Sequence, residues 1–419
     1  MNFAVDQPLD ESRLRSARIG SPTTVRHRRG VTLLVCLAMI CGLGLFAVGS
    51  IAEQPPGTRL SRGRPAFPAP TGPHQIGTVT LHLVDHSRVD PWVSDQPVRE
   101  LMVQLWYPAR PVAGSPRARW QTPGVASEFL GDAAAMLGVP AAHGHVNAPV
   151  RQGLGPRPVV LYSPGFTESR GINTAVVEDL ASHGYVVVTI DHPYEAKLVE
   201  FPGGRQVRQQ GRQWRDLEKA VEVRQADTRF VLDQLTALHR GQVIDAEQQV
   251  LPHGLGRVFD LSRVGMFGFS LGGATTAAAM SADSRIKAGI NLDGNLYGSV
   301  FRDGLDRPFL LIGSSDHDST TDGNWEALWT RLRGWRLELR LAGTAHGSFI
   351  DAQFLVRPYA PKAWSENQIR DVIGDIDERR SVLALRTYVR AFFDLHLLGR
   401  PTSLLAGPSA SWPEMRLMR

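Results

Sequence analysis

Ser270 sits in Gly268-Phe269-Ser270-Leu271-Gly272, a G-x-S-x-G pentapeptide. A serine between two such glycines is a candidate nucleophile when a strand turns sharply into a helix at that point. Glycine has no Cβ, so the chain can bend tightly and leave the hydroxyl exposed. The flanks suit this geometry. A short apolar run, Val264–Phe267, precedes the serine, and a small-residue stretch from Ala274 to Met280 reads as a helix after it. The pentapeptide alone also describes a glycine-rich turn whose serine only caps a helix. Nucleophilic chemistry therefore needs two partners, a base to take the hydroxyl proton and an acid to orient that base.

Where a strand–serine–helix bend carries a catalytic serine, the chain order is Ser, then acid, then His. The histidines after Ser270 are His317, His346 and His396. His346 lies in Gly343-Thr344-Ala345-His346-Gly347-Ser348-Phe349, directly after the last expected strand, and is the expected base. His317 comes too early and has no strand of its own before it. His396 falls in the terminal helix and reads as a packing or surface residue. Asp293 and Asp316 both occupy strand-end loops. Either could reach an imidazole, because neighbouring strands lie about 5 Å apart, and physics alone leaves both open. An oxyanion hole needs two backbone N–H donors. Leu271 supplies one from directly after the nucleophile. The loop Ser163-Pro164-Gly165-Phe166-Thr167 offers the N–H of Phe166 as the second.

The elements that must position these groups follow from the apolar pattern. Thr78–Val84 and Leu101–Tyr107 alternate and predict an antiparallel pair of strands. Pro158–Tyr162, Tyr185–Ile190, Val264–Phe267, Ala288–Leu292 and Phe309–Ile312 are short continuous apolar runs, as in a parallel sheet buried on both faces. Trp335–Leu341 is a further strand. Helix-like stretches separate them: Gly171–Ser182, Gln213–His239, Gly273–Ser281 and Trp325–Arg333, with Val382–Leu398 closing the fold before Gly399 and Pro401. Residues 111–156 read as loop with one short helix, Ser127–Leu137. Alternating strands and helices predict an α/β doubly wound sheet, with function at the carboxyl ends of the strands.

The composition excludes several classes. The formal charge of +5 resides in residues 1–64, which hold nine arginines and four acids. The remainder holds 37 basic and 37 acidic residues, so no nucleic-acid surface is implied. Both cysteines, Cys36 and Cys41, lie in the amino-terminal apolar segment, which leaves no thiol chemistry in the body. His143 and His145 form a pair that no carboxylate or cysteine joins in a ligand pattern, and they read as loop residues. Val31–Ala52 is 22 residues without a charge, behind Arg26, Arg28 and Arg29. A helix of that length spans about 33 Å, enough to cross a bilayer. The expected organisation is a basic cytoplasmic segment 1–30, a signal anchor or signal peptide 31–52, a Pro/Gly-rich linker 53–77, a catalytic domain 78–399 and a tail 400–419. The catalytic domain would then lie outside the membrane, anchored or secreted.

Leu161-Tyr162-Ser163-Pro164-Gly165-Phe166, the elbow around Ser270, Asn291-Leu292-Asp293-Gly294 and Gly343-Thr344-Ala345-His346 together resemble the platelet-activating-factor acetylhydrolase family of plasma type and its bacterial relatives. So do Asp90-Pro91-Trp92, Arg99 through Pro108, and Ala181 through His192. The likeness covers about Thr78 to Leu398. It implies the α/β-hydrolase fold, a mostly parallel sheet flanked by helices, and a serine esterase acting through an acyl-enzyme. It implies Asp293 as the acid, calcium independence, no cofactor, and short or oxidised acyl esters, of phospholipids or simpler alcohols, as substrate. Two rivals stand beside it. One is a cutinase-like lipase or polyester hydrolase using Asp316. The other is a catalytically silent envelope binding protein that retains the fold.

Overall fold

Apolar runs of four to six residues cannot face water on either side, so helices must cover both faces of the sheet they build. The computed structural model describes residues 66–110, 113–210, 216–361 and 363–419. Its chain opens with β1 (Gln75–Asp85) and β2 (Arg99–Ala109), followed by β3 (Arg117–Arg119), α1 (Pro123–Leu130), α2 (Asp132–Leu137) and β4 (Ala141–Val146). Next come β5 (Arg157–Ser163), α3 (Thr174–Ser182), β6 (Val186–Ile190), a hairpin of β7 (Leu198–Glu200) and β8 (Gln206–Arg208), and α4 (Leu217–His239). The central part continues with β9 (Phe259–Phe269), α5 (Leu271–Ala282), β10 (Ile286–Leu292), α6 (Val300–Asp303), β11 (Phe309–Gly313), α7 (Gly323–Trp329) and β12 (Arg336–Leu341). The chain closes with α8 (Ala352–Tyr359), α9 (Glu366–Ile373), α10 (Glu378–Leu398) and β13 (Met415–Leu417).

Eleven strands form one sheet in the order β13-β12-β11-β10-β9-β5-β6-β2-β1-β4-β3. From β6 through β5, β9, β10 and β11 to β12 every pairing is parallel. The expected antiparallel pair is present as β1 with β2. Side chains alternate across the sheet as the pleat requires. Val160 and Tyr162 of β5 join Phe267 of β9 beneath Leu385, Tyr388, Val389 and Phe393 of α10. Val159, Leu161 and Met266 face the other way, toward Leu232 and Leu235 of α4 and Ala277 and Met280 of α5. The strand order reverses at β5, whose neighbours are β6 and β9. That reversal opens a crevice at the carboxyl ends of β5 and β9, where an open α/β sheet places its site.

The structure departs from the sequence reading in several places, among them the β7–β8 hairpin, which the apolar pattern did not predict. Residues 111–156 are not loop with one helix, because β3, β4, α1 and α2 all lie within them. His143 and His145 therefore sit on a strand: His143 bonds the buried Glu178, and His145 Nδ1 donates to Ser115 O. Residues 67–77, expected as the end of an extended tether, are docked on the body. Phe67 is buried, Thr71 donates twice to Asp179 Oδ1, and Arg386 donates to the carbonyls of Pro68 and Ala69. The tail returns to the sheet, where β13 pairs with β12. Helices α8 and α9 follow the loop that carries His346 and had no counterpart in the sequence reading. The uncharged run 31–52 lies outside the described residues. Among the described residues no helix is long and apolar enough to cross a membrane.

Candidate active site

A strand can enter a helix at Ser270 only through a backbone conformation that most side chains avoid. Ser270 has φ 54° and ψ −121°, between β9 and α5. Its N–H donates to Leu292 O of the adjacent strand at 2.8 Å, and its carbonyl accepts from Gly273 N at 2.9 Å. The flanking glycines are required by space. A Cβ on Gly272 would stand 1.9 Å from Ser163 O, and one on Gly268 would stand 2.1 Å from Gly272 O. The residues around the bend are buried, while Ser270 itself is half-buried at the surface of the crevice. The Ser270 hydroxyl makes no hydrogen bond among the described residues.

Asp293 follows β10 directly, also at positive φ (55°). The Asn291 side chain fixes this turn by bonding Gly294 N and Gly294 O. The turn packs on the elbow: a Cβ on Gly294 would lie 2.0 Å from Ser270 O. Across the crevice, His346 opens the short 3-10 turn His346–Phe349 after β12. Ser348 holds that turn, accepting from Ala345 N and donating to Ile373 O of α9. His346 Nδ1 donates to Asp293 Oδ2 at 2.6 Å, and its ring lies 4.5 Å from the ring of Phe269, one residue before the serine. With Nδ1–H engaged by the carboxylate, Nε2 is left as the basic nitrogen.

Asp316, the other candidate acid, is exposed. Its carbonyl accepts from Thr321 Oγ1, and its carboxylate has no partner among the described residues. The structure thus brings Asp293, and not Asp316, to His346. The physical reason is the tight Asn291–Gly294 turn, which keeps Asp293 in the crevice while the loop after β11 carries Asp316 outward.

His317, set aside by the order of the chain, is instead part of the site. Its Nδ1 donates to Asp293 Oδ1 at 2.9 Å and its Nε2 to Asp322 Oδ2 at 2.9 Å. Its ring lies 4.4 Å from that of the buried Trp325. Ser314 N donates to the same Asp293 oxygen at 2.7 Å. Burial opposes the charged imidazole, but Asp293 and Asp322 outweigh it and raise the His317 pKa well above its usual value. Burial likewise opposes ionisation of Asp293, yet the charge of His317 and the bonds from both histidines hold its pKa far below the carboxylate range. The signal available in the sequence was the run Asp316-His317-Asp318 at a strand end beside Asp293. His396, by contrast, packs between Trp335 and Phe392, and burial pushes its pKa down to about 4.

The loop after β5 approaches the elbow from the other side. A Cβ on Gly165 would touch Phe269 Cδ1 at 3.0 Å, and Thr167 has φ 67°. Leu271 is the first residue of α5, where helical N–H groups have no partner within the helix. Neither Leu271 N–H nor Phe166 N–H donates to another backbone group among the described residues. Both are thus available to a developing oxyanion. No group of three or more His, Cys, Asp or Glu among the described residues could hold a metal ion.

Comparison with known proteins agrees with this chemistry. A family model described as platelet-activating factor acetylhydrolase, isoform II, matches residues 60–366. A probable 1-alkyl-2-acetylglycerophosphocholine esterase of Arthroderma benhamiae is 30% identical over 91% of this chain and 99% of its own length. A platelet-activating factor acetylhydrolase of Cavia porcellus is 24% identical over 70% of this chain and 71% of its own. Among solved structures, a ferulic acid esterase from Streptomyces cinnamoneus superposes with a TM-score of 0.75 at 37% identity. That match covers 85% of this chain and all of the other.

Two outcomes follow from the geometry. Asp293→Ala should lower kcat by about four orders of magnitude, whereas Asp316→Ala should leave it within about twofold; steady-state kinetics of the two variants would show the reverse order if Asp316 were the acid. The raised pKa of His317 gives a stability contribution that is complete below the free value of 6.5 and is lost as pH climbs through the folded value. His317→Gln should therefore depress Tm more at about pH 6 than at about pH 10. Equal depression at both would remove charge from the contact.

Proposed function

The chain belongs to the platelet-activating factor acetylhydrolase family and is a serine carboxylic-ester hydrolase, and on that premise we propose that Ser270, His346 and Asp293 are its catalytic triad. The observation that carries this reading is the 2.6 Å hydrogen bond from His346 Nδ1 to Asp293 Oδ2, beside a serine held at φ 54°. Ser270 Oγ attacks the ester carbonyl carbon while His346 Nε2 takes the hydroxyl proton. The carbonyl oxygen becomes an oxyanion that accepts from Phe166 N–H and Leu271 N–H. Collapse of the tetrahedral species breaks the bond to the alcohol oxygen, which leaves with the proton from His346. Water then attacks the acyl-enzyme by the same route and releases the acid. Asp293 stays ionised throughout and stabilises the imidazolium.

The substrate class we favour is the short acyl ester of a glycerophospholipid, because the relative alignable along nearly the whole chain is named for such an ester. Ferulic acid esters form the second reading, because the similar solved structure is that of a ferulic acid esterase. A fluorophosphonate should add once, at Ser270, as read by intact mass with Ser270→Ala as control. Acetyl and butyryl p-nitrophenyl esters should exceed the dodecanoyl ester in kcat/KM by about tenfold or more. A 2-acetyl glycerophospholipid should exceed methyl ferulate likewise; the opposite ranking would support the second reading.

We also propose that the uncharged run 31–52 exports the catalytic domain across the cytoplasmic membrane, on the strength of its length and of Arg26, Arg28 and Arg29 before it. Sequencing the amino terminus of the protein from fractionated cells should give either a start near Glu53 in the soluble envelope fraction or an intact terminus in the membrane. Full-length protein in the cytosol would refute export.

A further inference from the structure

Behind the oxyanion loop lies a second chain of serine, histidine and aspartate. Ser163 Oγ donates to His192 Nε2 at 3.1 Å, and His192 Nδ1 donates to Asp227 Oδ2 at 2.9 Å. All three are at most 1% exposed. Burial and the nearby Arg224 charge lower the His192 pKa, so its imidazole is neutral. No substrate can reach this serine, and its position suggests another task. Ser163 ends β5, immediately before Pro164, Gly165 and Phe166.

Arg224 of α4, 1% exposed, connects this buried chain to the loop. A guanidinium has five N–H donors in a rigid fork, and here five acceptors meet them. Nε donates to Glu195 Oε2 at 2.8 Å, and Nη2 donates to Glu195 Oε1 and to Gly165 O at 3.0 Å. Nη1 donates to Ser163 Oγ at 3.2 Å and to Pro164 O. Two consecutive loop carbonyls thus point at one cation. A trans peptide holds its C=O and N–H on opposite sides, and the described chain has no cis peptide. The Gly165 carbonyl turned toward Arg224 therefore turns the Phe166 N–H away from it. The preceding peptide shows the same rule: Pro164 O faces Arg224, and Gly165 N–H is taken by Glu168 Oε2 at 2.9 Å. Among the described residues, Phe166 N–H donates to no other backbone group.

We propose that Arg224 is a positioning residue for ester hydrolysis: by binding the Pro164 and Gly165 carbonyls it fixes the Gly165–Phe166 peptide plane with its N–H presented to the oxyanion. The inference rests on the triad and oxyanion reading above. Its effect is confined to the transition state, because a ground-state carbonyl draws little on that donor. Lysine at 224 would keep the charge for Glu195 but could not bridge two carbonyls and a carboxylate in one plane.

The test compares Arg224→Lys and the double variant Arg224→Met/Glu195→Gln, which removes both buried charges together, with wild type on p-nitrophenyl acetate. Competent sites are counted by end-point fluorophosphonate titration, so kcat is read per folded enzyme. Each variant should lose kcat by about 10²-fold, with KM within about threefold. Affinity for a trifluoromethyl ketone that forms an oxyanion on Ser270 should weaken in the same proportion as kcat. Retention of kcat and ketone affinity within about threefold in either variant would overturn the proposal. So would a rise in KM alone. Ser270→Ala separates the two levels: if it leaves turnover intact, the triad reading has failed, and if it abolishes turnover while the Arg224 variants do not, only the role of Arg224 falls.

Discussion

An ionised carboxylate with almost no solvent contact is the constraint on which the site depends. Asp293 is 3% exposed, and an unpaired charge in such a place would cost several kcal/mol or neutralise itself by taking a proton. Three donors prevent that: Ser314 N and His317 on one oxygen, His346 on the other. The two histidines are not equivalent. His317 lies between two carboxylates and is held in its charged form. Asp293, Asp322 and His317 together carry one net negative charge. His346 binds the other oxygen of that carboxylate, and in the proposed mechanism it is the imidazole that takes the Ser270 proton. The surroundings are therefore arranged for the charge that appears during reaction.

Holding these groups requires backbone strain that the sheet must offset. Ser270, Asp293 and Thr167 all have positive φ without being glycine, and each stands just past a parallel strand of the core. Such conformations cost on the order of 1–3 kcal/mol each. They persist because β5, β9 and β10 are adjacent and buried on both faces, so no end can relax without breaking pairing in its neighbour. The close contacts at Gly272 and Gly294 belong to the same tight packing. Rigid strands bring three sharp turns together, and the turns present the side chains.

Much of this was legible in the residues. The elbow, the loop before His346 and the five buried strands are strong local patterns, because burial on both faces leaves no polar position to confuse the reading. Which aspartate meets His346 was not legible from physics alone: Asp293 and Asp316 sit at the ends of adjacent strands, and a distance of one strand does not discriminate. What decides is a side-chain bond from Asn291 to the turn, which no periodicity reports. His317 was hidden because chain order ranks candidates for the base and says nothing of a second partner for the acid. The short strands in residues 111–156 and in the tail escaped for another reason. Three-residue strands such as β3 and β13 show only one buried side chain each, Ala118 and Met415, too few to reveal a period.

The two serine–histidine–aspartate chains differ in their surroundings and not in their residue types. Their side chains form the same sequence of acid and imidazole, and Ser163 makes an imidazole bond that Ser270 does not make among the described residues. Residue identity and hydrogen-bond order therefore cannot be what separates catalyst from scaffold. Ser163 ends a regular strand, its oxygen accepts a hydrogen bond from Arg224 Nη1, and the residue is fully buried. Ser270 is turned by its backbone out of the strand direction and is half-buried, and the N–H groups of Leu271 and Phe166 donate to no other backbone group among the described residues. An alkoxide-like oxygen needs exposure on one side and oriented dipoles on the other. The buried chain holds the loop that carries the Phe166 N–H, and in the proposed mechanism the half-buried Ser270 draws on that dipole.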